Sequence, residues 1–253
     1  MSQPDLSQAL ASAWRHKQRI AAADWAAGPH DAEAAYAVQQ SMAQALGCFE
    51  PGQPQFWKSG GASRQTTLTH APLPPAGVRQ SPADFSDLQL HAPCAEAEIA
   101  LRLGCEVTPA LALGLSVEGA RDLVDAMTVS IELVTSRWLE AGAAPALLRQ
   151  VDMLSHGALA LGDWQPFKAR DWWAQACELR VNEGPVLRGV GGHSLGDPAW
   201  GLAAWLKHVT RHGDSLPAGS VVTTGAWLVQ PGLQAGDRVT ASFAGLGTVA
   251  VQL

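Results

Sequence analysis

The chain has 253 residues, 47% of them apolar, with 17 basic and 23 acidic side chains and a formal net charge of -6. That apolar content is enough for a substantial core and excludes a disordered chain. An acidic balance with no long Lys or Arg run argues against nucleic acid as a partner. Cys48, Cys94, Cys105 and Cys177 are scattered, with no CxxC pair and no His at metal-finger spacing. Neither a disulfide framework nor a zinc site is expected, and reduced thiols in a cytoplasmic protein fit best.

The opening stretch MSQPDLSQALASAWRHKQRI lacks the basic segment, apolar run and cleavage site of a signal peptide. Leu6, Leu10 and Trp14 at four-residue spacing predict a helix. Val38, Met42 and Leu46 predict a second, opening at Asp31 and closing at Gly47. Residues 51–90 are rich in Pro, Gly, Ser and Thr without a sustained period, and long loops are expected there. The chain thus divides into a helical N-terminal region, 1–50, and a body, 51–253.

In the body, strands are expected in EAEIALRL, TVSIELVTS, ELRVN, VVTTG, DRVTASF and TVAVQL. Helices are expected in VEGARDLVDAM and in DPAWGLAAWLKHVTRHG, the latter with Asp197 as N-cap, Pro198 in the first turn and Gly213 as stop. The uncharged stretch from Ser215 to Gly236 is long enough to span a bilayer, but Pro217, Pro231 and its glycines make it strands and turns, so no membrane partner is expected. GVGGHSLG, Gly189 to Gly196, lacks the G-K-[ST] ending of a phosphate loop and reads as a turn. Trp172 and Trp173 are adjacent, so at most one faces a given core from a strand; Trp138, Trp164 and Trp227 are assigned to core packing or a subunit contact. The fold class is α+β, dominated by sheet.

In CAEAEIALRL, Glu96 and Glu98 share one strand face, because residues two apart project to the same side. In TVSIELVTS, Val129, Ile131 and Leu133 share a face and leave Ser130 and Glu132 on the other. Three converging carboxylates would repel one another and raise their own pKa values, a cost that a divalent cation removes. Oxygen-only ligation favours Mg²⁺ or Mn²⁺ over Zn²⁺. The competing reading is a solvated polar face, which alternating strands commonly have.

AEAEIALRLG, SIELVTSRW, VDMLSHGALALG, GHSLGDPAWGLAAWLKH, VVTTG and LQAGDRVTASFAGLGTVAVQL follow one another in an order that resembles the fumarylacetoacetate hydrolase superfamily. The helix near Tyr36 adds a likeness to its branch of 2-keto-4-pentenoate hydratases and 4-oxalocrotonate decarboxylases. The resemblance implies a mixed β-roll with a small helical N-terminal region, and Mg²⁺ or Mn²⁺ held by Glu96, Glu98 and Glu132. It implies that the metal chelates a 2-oxo acid and polarises its keto oxygen. WKSGGASRQ places Lys58 at an active-site lysine, Ser63, Ser155 and Thr224 fall on residues near the substrate, and Asp152 aligns with an acidic residue of unassigned role.

The sequence also departs from that pattern. Pro75 stands where the branch carries an Asp that handles protons, and a proline can neither donate nor accept one. Gly61 and Ala62 replace bulkier groups, Thr135 replaces an Asp, Met153 an Asn, His156 a Ser, and Ala226 a Ser. His156 is the candidate to take over the proton transfer. The expected activity is that of a metal-dependent hydratase or decarboxylase on a small 2-oxo acid in aromatic-compound degradation, in a homo-oligomer. The alternatives are an acylpyruvate-type C–C hydrolase and a metal and 2-oxo acid binder without catalysis.

Overall fold

The computed structural model describes residues 5–49 and 54–253. Helix α1, Leu6–Arg15, starts at Asp5, whose side chain accepts the Ser7 N–H. Helix α2, Ala32–Leu46, starts at Asp31, whose side chain accepts the Ala34 N–H, and stops at Gly47 in the left-handed region. Both ends of α2 fall where its capping residues predict them. The two helices bury Leu6, Leu10 and Met42 in a cluster shared with Ala71, Trp138, Leu148, Val151 and Met153. The helical region therefore leans on the segment that forms one wall of the cleft described below.

The strands are Phe56–Gly60 (β1), Thr69–Pro72 (β2), Val78–Gln80 (β3), Ala83–Asp84 (β4), Cys94–Leu103 (β5), Val124–Val134 (β6), His156–Leu161 (β7), Gln165–Pro166 (β8), Ala176–Val181 (β9), Val186–Val190 (β10), Val221–Thr223 (β11), Leu228–Gln230 (β12), Arg238–Phe243 (β13) and Gly247–Gln252 (β14). Between them lie helices Pro109–Gly114 (α3), Val117–Arg121 (α4), Ala146–Val151 (α5) and Leu202–Val209 (α6). One sheet runs β2-β1-β11-β5-β6-β7-β3, with β12 added to β5 and β8 to β6; the other runs β10-β9-β13-β14-β4. This is the α+β architecture the patterning predicts. Ile99, Leu101, Met127, Val129, Ile131 and Leu133 of the first sheet share the main core with Val239, Ala241, Phe243, Val249 and Val251 of the second.

Three local expectations are corrected. Residues 54–90 are not simply long loops, since β1 to β4 lie among them. The boundary drawn at 50/51 falls outside the described residues. The helix expected in VEGARDLVDAM ends at Arg121, and Val124–Met127 belongs to β6, where Leu103 pairs with Val124. The run is apolar enough for either state, and pairing with β5 decides it. The helix expected from Asp197 begins at Leu202; Asp197 instead accepts the Ala199 N–H and an ion pair from Arg121. Trp172 is buried and Trp173 exposed, while Trp138 and Trp227 are core residues.

β7 must lie close against β6 just beyond His156. A Cβ added to Gly157 would stand 2.6 Å from the Leu133 carbonyl oxygen and 2.9 Å from Thr135 Cγ2. Backbone cannot yield to it cheaply, so Gly157→Ala is expected to cost about 1–3 kcal/mol of stability, read from urea unfolding midpoints; an unchanged midpoint would show that the two strands can separate freely.

Candidate metal centre

Strand register brings the three glutamates together. β5 and β6 are antiparallel with Glu96 directly opposite Glu132 and Glu98 opposite Ser130, so all three project from the face that turns away from the second sheet. The face is not solvated. Glu132 is 0% and Glu98 2% exposed, and Glu96 is half-buried, which rules out the reading of an ordinary polar strand surface. One oxygen from each lies within 4.8 Å of the others, the span of ligands around an ion at about 2.1–2.5 Å.

β1 contributes the counter-charge. It runs parallel to β11 with Lys58 beside Thr223, and Lys58 Nζ donates to Glu132 Oε1 at 2.7 Å and to the Leu154 carbonyl at 3.3 Å. His156 Nδ1 meets the same Oε1 at 2.9 Å. A carboxylate only accepts, so Nδ1 carries the proton and Nε2 the lone pair. Burial pushes the imidazole pKa down, more than the Glu132 contact raises it, so the ring is neutral. Burial also opposes both charges of the Lys58–Glu132 pair. For Lys58 the attraction of Glu132, Glu96 and Glu98 outweighs it and holds the ammonium above its ordinary value. For Glu132 the Lys58 charge and the His156 hydrogen bond outweigh it and hold the carboxyl below the usual range.

The other two carboxyls lack such support. Burial first, then the charges of Glu132 and Glu96, push Glu98 up to about 8, although Lys58 and a hydrogen bond from Thr223 Oγ1 act the other way. Glu96 is raised by burial, against the pull of Lys58. Glu98 Oε2 also accepts the Gly225 N–H at 3.1 Å. Gly225 has φ 112°, a conformation that in practice only glycine adopts.

Whether this set fits a divalent cation is answered by Glu132 Oε2. With Oε1 held by Lys58 and His156, Oε2 is buried and has no hydrogen-bond partner among the described residues. An anionic oxygen so placed is costly unless a cation meets it. The donor set is all oxygen, so the residues fit a hard divalent cation.

These groups form the floor of a cleft of about 810 Å³. One wall comprises Ser59, Gly60, Gly61, Thr69, Ser194, Gly225 and Ala226; the other comprises Val134 to Ser136, Arg149, Leu154 and Ser155, with Arg19 and His91. Lys58, Glu96, Glu98 and Ser155 line it, and Glu132 lies behind them. Ser63 and Thr224 are not among its lining residues. The Ser63 hydroxyl accepts the Gln65 N–H within a turn, and the Thr224 hydroxyl donates to the Ile99 carbonyl. Thr223, one residue earlier, is the threonine of VVTTG that reaches Glu98. His156 is fully buried behind Glu132, so it touches that carboxylate rather than the cleft. Pro75 starts a single helical turn and does not line the cleft.

Asp152 has a structural part. Its carboxylate receives Arg137 Nε and backbone N–H and the Ser136 hydroxyl, while the guanidinium also donates to the Asp152 and His156 carbonyls. Between those carbonyls, Met153, Leu154 and Ser155 are all left-handed, with φ of 46°, 53° and 60°. Each such non-glycine residue costs about 1–2 kcal/mol. The buried ion pair holds this turn, and the turn points the Leu154 carbonyl at Lys58 and Ser155 into the cleft. Arg19, Arg149, Thr223 and Gly225 were not singled out in the sequence; for Thr223 its place as the last residue of the strand in VVTTG is the signal, and for the arginines no local pattern exists.

The chain belongs to the fumarylacetoacetate hydrolase family: residues 58–253 match the family described as fumarylacetoacetate (FAA) hydrolase, C-terminal. It is 34% identical over 167 residues to 2-keto-4-pentenoate hydratase 1 of Dechloromonas aromatica (strain RCB), over 64% of this chain and 60% of that protein. The match to 2-keto-4-pentenoate hydratase 2 of the same strain has the same extent. The chain thus spans less than two thirds of these curated relatives. Among solved structures, 4-oxalocrotonate decarboxylase from Pseudomonas putida G7, complexed with calcium and acetate, superposes with a TM-score of 0.79 at 20% identity, covering 100% of this chain and 98% of that one. Fumarylpyruvate hydrolase from Pseudomonas aeruginosa, in complex with Mn²⁺ and pyruvate, superposes with a TM-score of 0.56 at 16% identity, covering 81% and 97%.

Two outcomes follow from this geometry. In metal-free protein Glu98 keeps its proton up to about pH 8, whereas the unfolded chain releases it near 4.5. The folded state therefore binds the extra proton across that window, and the stability it confers is lost as pH rises through it. Urea midpoints should fall from pH 5 to pH 8 in wild type, and the fall should flatten in Glu98→Gln; an equal slope in both would place the titration elsewhere. His156→Ala frees Oε1 on one side and should weaken Mn²⁺ binding about 10–100-fold by calorimetry, whereas unchanged affinity would show that Lys58 alone orients Glu132.

Proposed function

We propose that the protein is a divalent-metal-dependent lyase acting on a small 2-oxo acid, a hydratase or decarboxylase of the kind its relatives are named for, serving aromatic-compound degradation in the cytoplasm as a homo-oligomer. The observation that carries this reading is a cluster of three carboxylates, two buried and one half-buried, around one ammonium at the floor of a cleft. Glu96, Glu98 and Glu132 would hold Mg²⁺ or Mn²⁺. When bound, the ion supplies Lewis-acid polarisation of a chelated 2-oxo group.

The protein's own residues do the rest. Lys58 Nζ has three protons, of which two are engaged by Glu132 and Leu154. The third is left to donate to negative charge that develops at the substrate, already oriented by the other two. Ser155, held by the left-handed turn, and Thr223, held against Glu98, border the same space. His156 and Lys58 keep Glu132 ionised and fix which oxygen faces the centre. Hydration and decarboxylation share this need for an electron sink at the 2-oxo group.

Hydrolysis of acylpyruvate type ranks lower. It needs a water activated by an accessible base, normally a Glu–His dyad, and the Glu–His contact here, Glu132–His156, is fully buried. The imidazole lining the cleft is His91, whose Nε2 donates to the Lys17 carbonyl. A binder that holds a 2-oxo acid without turning it over is favoured by one observation: the proline at position 75.

Two assays decide between these readings. Chelator-stripped protein titrated with Mg²⁺ or Mn²⁺ should bind, more tightly with oxalate present, and Glu98→Gln should abolish this. Loaded enzyme should consume 2-keto-4-pentenoate or 4-oxalocrotonate, followed by ultraviolet absorbance, with about a hundredfold loss or more in Glu96→Gln. Full activity in that variant would overturn the metal reading, and oxalate binding without turnover of either acid would favour the binder.

A further inference from the structure

Lys58 of β1 faces the metal cleft, and Trp57, one residue earlier, projects to the opposite side of the strand. There it lines a second cavity, of about 410 Å³, which shares no lining residue with the metal cleft. That volume lies within the roughly 300–1,000 Å³ of small-molecule sites. Tyr36, Phe49, Trp57 and Pro72 give the cavity flat apolar walls. The Trp57 indole N–H is engaged by the Pro54 carbonyl at 2.7 Å, so the ring offers the cavity no free donor.

The polar side of this cavity is built around one cation. His70, His208, Tyr36 and Arg211 form a stack: the two imidazoles lie 4.7 Å apart, His208 lies 4.2 Å from the Tyr36 ring, and the Arg211 guanidinium lies 5.4 Å from it on centroids. Burial first, then the Arg211 charge, hold His70 down at about 3; burial, then His70 and Arg211, hold His208 at about 2. Both rings are neutral, and the charge of the stack is the guanidinium alone. Arg211 is oriented on one side only. Its Nη1 donates to the His208 carbonyl at 2.6 Å, while Nε and Nη2 have no acceptor among the described residues. Glu33 attracts it without forming an ion pair. The Tyr36 hydroxyl adds a second donor. Tyr36 is buried, its oxygen accepts the His70 N–H at 3.1 Å, and its own proton has no acceptor among the described residues.

A planar fork with two N–H groups to give suits a carboxylate, and an unused hydroxyl proton beside it suits the same group. Aromatic and proline walls suit a flat apolar body. We infer that the cavity bordered by Tyr36, Trp57 and Arg211 is a second ligand site, and that it binds a carboxylate carried on an aromatic ring. The acid group sits at Arg211 and the Tyr36 hydroxyl, and the ring lies against the apolar walls. Asp214 also lines the cavity, exposed and without an ion pair among the described residues, so the acid can be a plain aromatic acid or the zwitterion of an aromatic amino acid. The site is independent of the metal centre and does not rest on the function proposed above.

The test is calorimetry on the full chain without added metal, comparing phenylacetate with phenylacetamide, which has the same shape and no charge, and with acetate, which has no ring. Wild type should bind phenylacetate about tenfold or more tightly than either. Arg211→Met should bring the acid-to-amide ratio towards one. Arg211→Lys, which keeps the charge and loses the fork, should keep part of it, and Arg149→Met in the metal cleft should leave it unchanged. Equal binding of acid and amide, acetate binding as tightly as phenylacetate, or no binding of phenylacetate overturns the inference. So does a preference that survives Arg211→Met or vanishes in Arg149→Met, since the acid then sits elsewhere. L-Phenylalanine distinguishes the sources: tighter binding than phenylacetate, with the gain removed by Asp214→Asn, supports the site with an amino acid as occupant, and weaker binding supports it with a plain acid.

Discussion

The arrangement of this molecule turns on gathering three carboxylates, two buried and one half-buried, around a single ammonium. In a low-dielectric site the repulsion between ionised neighbours is several times what it is in water. Burial and then this repulsion push Glu98 up to about 8, whereas at Glu132 the Lys58 charge and the His156 hydrogen bond outweigh burial and keep the carboxylate ionised. The sheet tolerates the cluster because the opposite faces of β5 and β6 supply the apolar contacts of the main core. Ile99, Ile131 and their neighbours hold the strands in the register that sets Glu96 against Glu132. The core and the charged floor are two sides of the same pair of strands.

A second buried ion pair supports the first at one remove. Arg137 and Asp152 do not reach the cleft floor, yet they hold the left-handed turn at Met153–Ser155. Both charges are stripped of water, and burial shifts each towards its neutral form: Arg137 down, Asp152 up. Such a pair adds little net stability over an apolar replacement, but losing one partner is severe, because the other is left bare. What it supplies here is geometry: the turn delivers Leu154 to Lys58 and His156 to Glu132.

Much of the floor was legible from strand parity. Glu96 and Glu98 had to share a face, and Glu132 had to oppose the apolar Val129, Ile131 and Leu133. Parity does not say which strands pair, nor whether the polar face is wet; those follow from β1, β11 and β7 being placed beside β5 and β6 by the whole topology. His156 read as a proton-transfer group because its chemistry is visible in sequence and its depth is not. Thr223 and Thr224 are separated only by where a three-residue strand ends. The walls were least legible, since Ile20, beside Arg19, and Leu148, beside Arg149, meet through Trp138, a contact between segments more than a hundred residues apart with no shared period.

The two hydrophobic clusters have a consequence for how such a protein can change. The floor is rooted in the core between the sheets, whereas the wall bearing Arg149 rests on the separate cluster of α1, α2, Trp138 and α5. Substitutions accumulating in the helical cluster can reshape the entrance while the strands that carry the three glutamates keep their packing. The same division offers an engineer two nearly independent dials, one for the charge of the floor and one for the shape of the entrance.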